Sequence, residues 1–290
     1  MENLNKPVVL VTGKNGQLGS ELADLAPSLS NNFTFSFLGR DELDISNEQQ
    51  VKQVFNTLKP AFVINCGAYT AVDKAETEKE KALAGNAYSV GIMASLCKQL
   101  GAKFIHISTD YVFNGLGTVP YREDDATDPV NYYGYTKLQG EKLALQNNEN
   151  SIVIRTSWVY SKYGNNFVKT MIRLMKERPE IRVVSDQVGS PTYAKDLAEA
   201  IIQIIEGNKP FKPGIYHFSN EGVISWFDFA TAIQQLKHLN STVSPIPTSA
   251  FPTPAKRPAY SVMSKDKIAA DYGITVRNWK DALIECLEKL

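Results

Sequence analysis

The chain has 290 residues, 43% of them hydrophobic and 21% charged, with Lys+Arg and Asp+Glu both at 31. Zero net charge argues against a general binder of nucleic acid or of anionic membranes, although a local basic group can still hold a small anion. The length and composition suit one large α/β domain, or a dinucleotide domain with a smaller partner.

The first residues lead straight into a short strand. No secretory apolar stretch and no membrane-length run occurs, so a cytoplasmic protein with reduced thiols is expected. Cys66, Cys97 and Cys286 form no Cys-x-x-Cys pair, and the three His are scattered, which argues against a disulfide framework or a structural zinc site. Val8 to Val11 is a continuous apolar run, the pattern of a strand buried on both faces. A glycine turn follows, then a helix from about Gln17 to Ala26. Strands are expected at Phe33 to Leu38, Ala61 to Asn65, Phe104 to Ile107 and Ser151 to Arg155. Helices are expected at Asn47 to Leu58, stopped by Pro60, at Glu78 to Leu100 and at Tyr133 to Gln146. Repeated βα units of this kind predict a Rossmann-type doubly wound parallel sheet over residues 1–156.

Beyond Thr156 the rhythm loosens and proline becomes frequent, notably Pro245, Pro247, Pro252, Pro254 and Pro258. Helices are still expected at Tyr193 to Ile205, Ser225 to Leu236 and Trp279 to Lys289, with a strand at Ile215 to Phe218. Residues 157–290 therefore read as a smaller, mainly substrate-binding region, with a segment near 190–220 returning to the sheet.

Thr12-Gly13-Lys14-Asn15-Gly16-Gln17-Leu18-Gly19 directly follows the first strand. Its glycines can take a tight turn, admit a pyrophosphate to the backbone and pack the helix closely, while the helix N-terminus offers amides to the anion. At the end of the second strand, Arg40 favours the 2′-phosphate of NADPH and Asp41 keeps NADH open. Asp44 can cap the next helix or hold the adenine edge. The small residues Cys66-Gly67-Ala68 let a cofactor lie across the third strand's end, Cys66 serving as a packing residue. Thr109 ends the fourth strand, where ligands of such sheets bind, and its hydroxyl can bond a carbonyl. Tyr133 and Lys137 are four apart on a helix, so a phenol and an ammonium share one face. A cation there is expected to lower the phenol's pKa. Asn86, inside the long helix, can either face solvent or hold a relay water.

The ordered segments Ala68 to Glu76, Ser108 to Phe113, Tyr133 to Glu141, Arg155 to Tyr160, Gly164 to Phe167, Asp186 to Thr192 and Arg257-Pro258 resemble the extended short-chain dehydrogenase/reductase family over essentially the whole chain. Within it they are most similar to the branch that reduces the C4 ketone of a dTDP-linked deoxysugar with NADPH or NADH. The resemblance implies Thr109, Tyr133 and Lys137 as catalytic residues. It implies a cofactor site of Gly13, Asn15, Gly16, Gln17, Leu18, Arg40, Asp44, Ile45, Cys66, Gly67, Ala68, Tyr133 and Lys137. The sugar nucleotide is expected at Thr70, Val72, Thr109, Tyr111, Trp158, Asn165 and Arg257. Other readings stand beside these. Trp158 and Val72 can be core, Thr70 a helix cap and Arg257 a surface ion pair. The chain can also be an epimerase or dehydratase of the family, or a non-catalytic relative like the regulatory subunit of a methionine adenosyltransferase. Some family members dimerise through magnesium held by glutamates. Glu21 matches the first such position, but Lys195 stands at the next and cannot ligate a hard cation. No metal is therefore expected, and the chain is read as a monomer or homodimer.

Overall fold

A computed structural model describes residues 6–290. β1 (Val8–Thr12), α1 (Gln17–Leu25), β2 (Thr34–Leu38), α2 (Glu48–Leu58) and β3 (Phe62–Asn65) alternate as expected. A short α3 (Val72–Ala75) precedes α4 (Lys79–Leu83), a π-helical turn at Ala84–Tyr88 and α5 (Ser89–Leu100), which run on from one another. β4 (Lys103–Thr109), α6 (Tyr132–Asn147) and β5 (Ser151–Thr156) follow.

The strands lie in the order β2-β1-β3-β4-β5, with β10 (Gly214–His217) beside β5, and every pairing is parallel. Both faces of this doubly wound sheet are buried. Val9, Val11, Ile64 and Ile105 pack on Leu18 and Leu22 of α1 and on residues 197–205. Leu10, Val63, Phe104 and Val153 pack on Val51, Phe55, Met93 and Cys97 from α2 and α5. That is why the strands read as unbroken apolar runs, each large side chain adding ~1.5–3 kcal/mol by burial. The chain leaves β1 toward β2 on one side and returns to β3 on the other. This reversal opens a crevice at the carboxyl ends of β1 and β3, where ligands of such sheets sit.

After β5 the chain forms β6 (Val159–Tyr160), α7 (Phe167–Glu177), β7 (Glu180–Val184), β8 (Val188–Gly189), β9 (Thr192–Tyr193) and α8 (Ala194–Glu206). α8 packs on α1 and leads to β10, so this stretch rejoins the sheet. β11 (Ile224–Ser225), α9 (Trp226–Leu236), β12 (Thr242–Ile246), α10 (Asp266–Tyr272) and α11 (Trp279–Glu288) complete the fold. A second core gathers Val168, Met171 and Met175 of α7, Phe229 and Ile233 of α9, and Leu283 and Leu287 of α11.

Several elements differ from expectation. The segment read as loose loops contains α7, whose cap is Asn166 accepting from the Lys169 amide. It also contains the parallel pair β7–β12, in which Pro245 lies opposite Val183. Proline is tolerated there because the ribbon has two strands and both are edges. The long helix read from Glu78 is interrupted by its π-helical turn, a feature frequent at functional sites.

Candidate functional site

The glycine turn sits in the crevice. Gly13 has φ +71°, and a Cβ there would come 2.8 Å from the Gly67 nitrogen and 2.9 Å from the Cys66 carbonyl carbon. The two strand ends therefore meet through backbone alone. Gly19 packs against the Gly13 carbonyl, leaving no room for a side chain. Gly16 caps α1 without a side-chain hydrogen bond, so the first amides of the helix keep no internal partner. Asn15 and Gly16 are exposed, while Leu18 is buried under the turn. A glycine cradle facing a helix N-terminus fits a dinucleotide pyrophosphate. The Gln17 side chain is engaged elsewhere. Its Nε2 donates to the Val159 carbonyl (3.2 Å), and its Oε1 accepts from Asn166 (3.0 Å).

At the end of β2, Arg40 is exposed and close enough to Asp44 to lower its carboxyl pKa. The larger cause is Ser46, whose hydroxyl and amide bond Asp44 Oδ1 at 2.6 and 3.0 Å. Asp44 thus caps a turn before α2, whose own cap is Asn47. Lys14, a loop residue that the motif reading passed over, pairs with Glu42 on the same rim as Arg40. Glu42 also accepts from the Gly39 amide. The Ile45 side chain covers Gly67, its Cδ1 lying 3.1 Å from where a Cβ would stand. Cys66 is an unreactive thiol, since burial pushes its pKa up to about 12. Ala68 is exposed beyond it.

α6 begins one residue earlier than expected, at Tyr132. The Asn131 side chain accepts from the Gly134 amide (2.8 Å), and Glu76 accepts from the Tyr132 amide (2.8 Å). Gly134 lies against the Tyr111 carbonyl, which brings the helix start onto the turn after β4. Tyr133 is thereby brought beside Thr109 and packs edge-on to Tyr111, with ring centroids 5.8 Å apart. Lys137 is 2% exposed, and its Nζ donates to the Ile107 carbonyl at 2.6 Å.

The phenol is not driven down as the sequence suggested. Burial, then the neighbouring Asp110 carboxylate, push the Tyr133 pKa up, and only the nearby Thr109 hydroxyl opposes them. The Lys137 ammonium is spent on Ile107 and His106 instead. Tyr133 is therefore held in its protonated form. Lys137 is itself lowered to about 8 by burial, against the opposing pull of Glu141 and Cys66. Asp110, part of the Ser108 to Phe113 motif, bore only on the dehydratase alternative in the sequence and was given no role in the reductase site. It is 2% exposed, accepts from the Thr109 hydroxyl at 2.9 Å, and keeps Oδ2 without a partner. Burial raises its carboxyl to about 6.

Asn86 is fully buried in the π-helical turn. It accepts from the Tyr69 amide (2.8 Å) and donates to the Tyr69 carbonyl (3.0 Å) and to Thr136 (3.1 Å). It thereby clasps the β3–α3 loop rather than facing solvent. That loop carries Thr70, exposed, and Val72, half-buried. Thr70 does not cap α3, whose N-cap is Ala71. Arg257 forms a two-pronged ion pair with Asp73, at 2.8 and 2.9 Å, and Asp73 also accepts from the Ala255 amide. The ion-pair alternative for Arg257 therefore holds in this arrangement, and the proline-rich segment is fastened across α3.

Trp158 has φ +49°, a strained value for a bulky residue, and stacks on Trp226 with centroids 3.6 Å apart. Gly189 makes room for it: a Cβ would come 2.8 Å from the Trp158 ring. Asn165 is exposed, and its neighbour Asn166 makes the structural bonds. Glu21 accepts from Ser161, and Lys195 pairs with Glu285 at 2.7 Å and Glu199 at 3.4 Å. Among the described residues no cluster of three His, Cys, Asp or Glu gathers, and no helix is long and apolar enough to cross a membrane.

Residues 7–290 match the family described as the RmlD substrate binding domain. The spore coat polysaccharide biosynthesis protein SpsK of Bacillus subtilis (strain 168) is 44% identical over 281 residues, 97% of each chain. The dTDP-4-dehydrorhamnose reductase of Escherichia coli (strain K12) is 40% identical over 295 residues, again 97% of each. The crystal structure of dTDP-4-dehydrorhamnose reductase from Bacillus anthracis str. Ames in complex with NADP superposes with a TM-score of 0.93 at 40% identity, covering 98% of this chain and 100% of that one. The UDP-glucose 4-epimerase of Thermus thermophilus, at 19% identity and a TM-score of 0.81, covers 97% of this chain and 98% of its own and shares the fold.

Proposed function

The chain belongs to the RmlD substrate binding domain family, and on that premise we propose how its residues work as an NADPH-dependent reductase. The reaction is the reduction of dTDP-4-dehydro-β-L-rhamnose to dTDP-β-L-rhamnose, the last step of dTDP-rhamnose synthesis. Reductases of that name, about 40% identical over nearly the full length, support it, and the NADP-bound relative supports the cofactor. The observation that carries the reading is the meeting of Thr109, Tyr133 and buried Lys137 beside the glycine cradle.

When bound, NADPH supplies the hydride that reduces the sugar C4. The chain provides the rest. Gly13, Gly16 and the first amides of α1 receive the pyrophosphate, and Arg40 with Lys14 draws the 2′-phosphate. Thr109 turns its hydroxyl from Asp110 to the carbonyl and orients it by a hydrogen bond. Tyr133 delivers its hydroxyl proton to the C4 oxygen as negative charge develops there. The Lys137 ammonium then stabilises the phenolate electrostatically, a stabilisation needed only once the proton has left. Tyr111, Val72 and Thr70 form one wall of the sugar-nucleotide site. Trp158, propped by Trp226, offers a flat apolar face on the other. Arg257 exchanges Asp73 for the substrate diphosphate. Residues up to Thr156, with the returning α8 and β10, form the dinucleotide side, and the remainder mainly the sugar side.

Incubation of the purified protein with NADPH and dTDP-4-dehydrorhamnose tests the reading. Cofactor oxidation with dTDP-rhamnose as product is expected. Demonstrable NADPH binding without oxidation would remove this substrate from the reading.

A further inference from the structure

A buried polar chain runs from the reactive lysine back to the first strand. Lys137 Nζ lies 3.3 Å from His106 Nε2, and His106 Nδ1 lies 3.1 Å from the Asn65 amide. The other end of that amide is 2.7 Å from the Thr12 hydroxyl, which accepts from the Gly67 N–H at 3.2 Å. Parallel register aligns Thr12 with Asn65 and Asn65 with His106 across β1, β3 and β4. All three are essentially unexposed. Gly140 lets α6 rest on the Asn86 carbonyl, with the imidazole Nε2 in ordinary contact beside it.

Proton counting gives the chain a direction. An ammonium has no lone pair, so beside charged Lys137 the Nε2 of His106 must accept and Nδ1 must carry the proton. The structure places the Asn65 NH2 on His106 Nδ1, with the Thr12 hydroxyl donating to Asn65 Oδ1. Beside charged Lys137 the amide must therefore be turned end for end, with its oxygen to His106 and its NH2 to Thr12. The amide's two ends have the same shape, so the turned form fits the same space, at the cost of the Thr12 hydroxyl's acceptor.

We propose that His106 is a positioning residue that, through Asn65 and Thr12, fixes the Lys137 ammonium and keeps it charged at working pH. The inference rests on the reductase reading. Burial holds the imidazole well below its ordinary pKa, so it remains a neutral acceptor. Lys137 faces His106 and the Ile107 carbonyl from β4, Cys66 from the end of β3, and Glu141 and Tyr133 on its own helix. Glu141 is already bound to Arg155 at 2.8 Å and to Ser108. The π-helical turn packed on α6 presents Asn86, which bonds Thr136 rather than the lysine.

The test compares kcat against pH for wild type, His106→Phe and His106→Gln. Loss of the acceptor in His106→Phe should move the alkaline limb down by about one unit, lowering kcat about twofold near neutrality and about tenfold on the alkaline side of both limbs. His106→Gln offers an amide oxygen to the ammonium and should recover most of both. The KM for the sugar should hold steady. An unmoved limb in folded His106→Phe, or a glutamine variant as impaired as the phenylalanine one, overturns the proposal. Nitrogen NMR of the wild-type imidazole decides independently of activity and of whether the variants fold. A proton on Nδ1 is expected, and a proton on Nε2 below the lysine's titration overturns the assignment. Absence of wild-type turnover would instead sink the reductase reading, leaving the tautomer to judge the chain.

Discussion

Gly134 rests directly on the carbonyl of Tyr111, and no side-chain carbon fits between them. This contact joins the start of α6 to the turn after β4, so it sets the distance between Tyr133 and Thr109. Gly134→Ala must push the helix away. Overpacking of this kind costs ~1–3 kcal/mol, and the displaced phenol should lower kcat by at least about tenfold. Thermal melting and turnover measured together check this, and a variant with unchanged kcat would show that the contact does not set the geometry.

Tyr133→Phe removes the proton donor and leaves the glycine cradle intact. Turnover should fall by orders of magnitude, about 10²-fold or more, while NADPH affinity is largely retained. Fluorescence titration beside a turnover assay separates the two. Near-normal turnover would dismiss Tyr133 as the acid.

Asp110 imposes a pH dependence on stability. Its folded carboxyl titrates at about 6, above the ordinary 3.8, because of burial. The folded chain therefore holds this proton more tightly than the unfolded chain. The resulting stabilisation is complete below the unfolded pKa and disappears as pH rises through the folded one. Asp110→Asn keeps an oxygen for Thr109 and removes the titration. Relative to the variant, the wild type should lose ~2–3 kcal/mol between about pH 4 and pH 7. Denaturant unfolding of both proteins at several pH values measures this, and parallel curves would contradict it.

Arg40→Ala should raise the KM for NADPH more than that for NADH, by about tenfold if the guanidinium meets the 2′-phosphate. Equal effects on both cofactors would take Arg40 out of that role. Glu42→Gln frees Lys14 from its ion pair and should lower the NADPH KM. An unchanged value would leave the Lys14 pair without influence on the phosphate.

The parallel sheet was legible because its strands are buried on both faces and its glycine turn has a local pattern. That Thr109, Tyr133 and Lys137 gather near one strand end was legible because strand ends and i, i+4 spacing are local too. What escaped depends on distant partners. Whether Asn86 faces solvent or clasps Tyr69 is decided by the chain folding back 17 residues away. Asp73 lies 184 residues from Arg257. Asn65 and His106 looked like ordinary strand residues until register set them side by side. α7 was a different kind of miss. Val168, Met171, Ile172 and Met175 already carried the helical spacing, but the surrounding loops drew attention from it.

Gln17, Glu21 and Asp24 on and beside the inner turns of α1 bond to Val159, Asn166, Ser161, Lys162 and Tyr163. The helix whose N-terminus faces the cofactor is thus riveted to the segment that enters the sugar side. Rigid-body rotation about Thr156 would have to shear that whole seam. If Arg257 releases Asp73 to meet a substrate diphosphate, as proposed, the adjustment falls on the proline-rich strap rather than on a swing of two lobes.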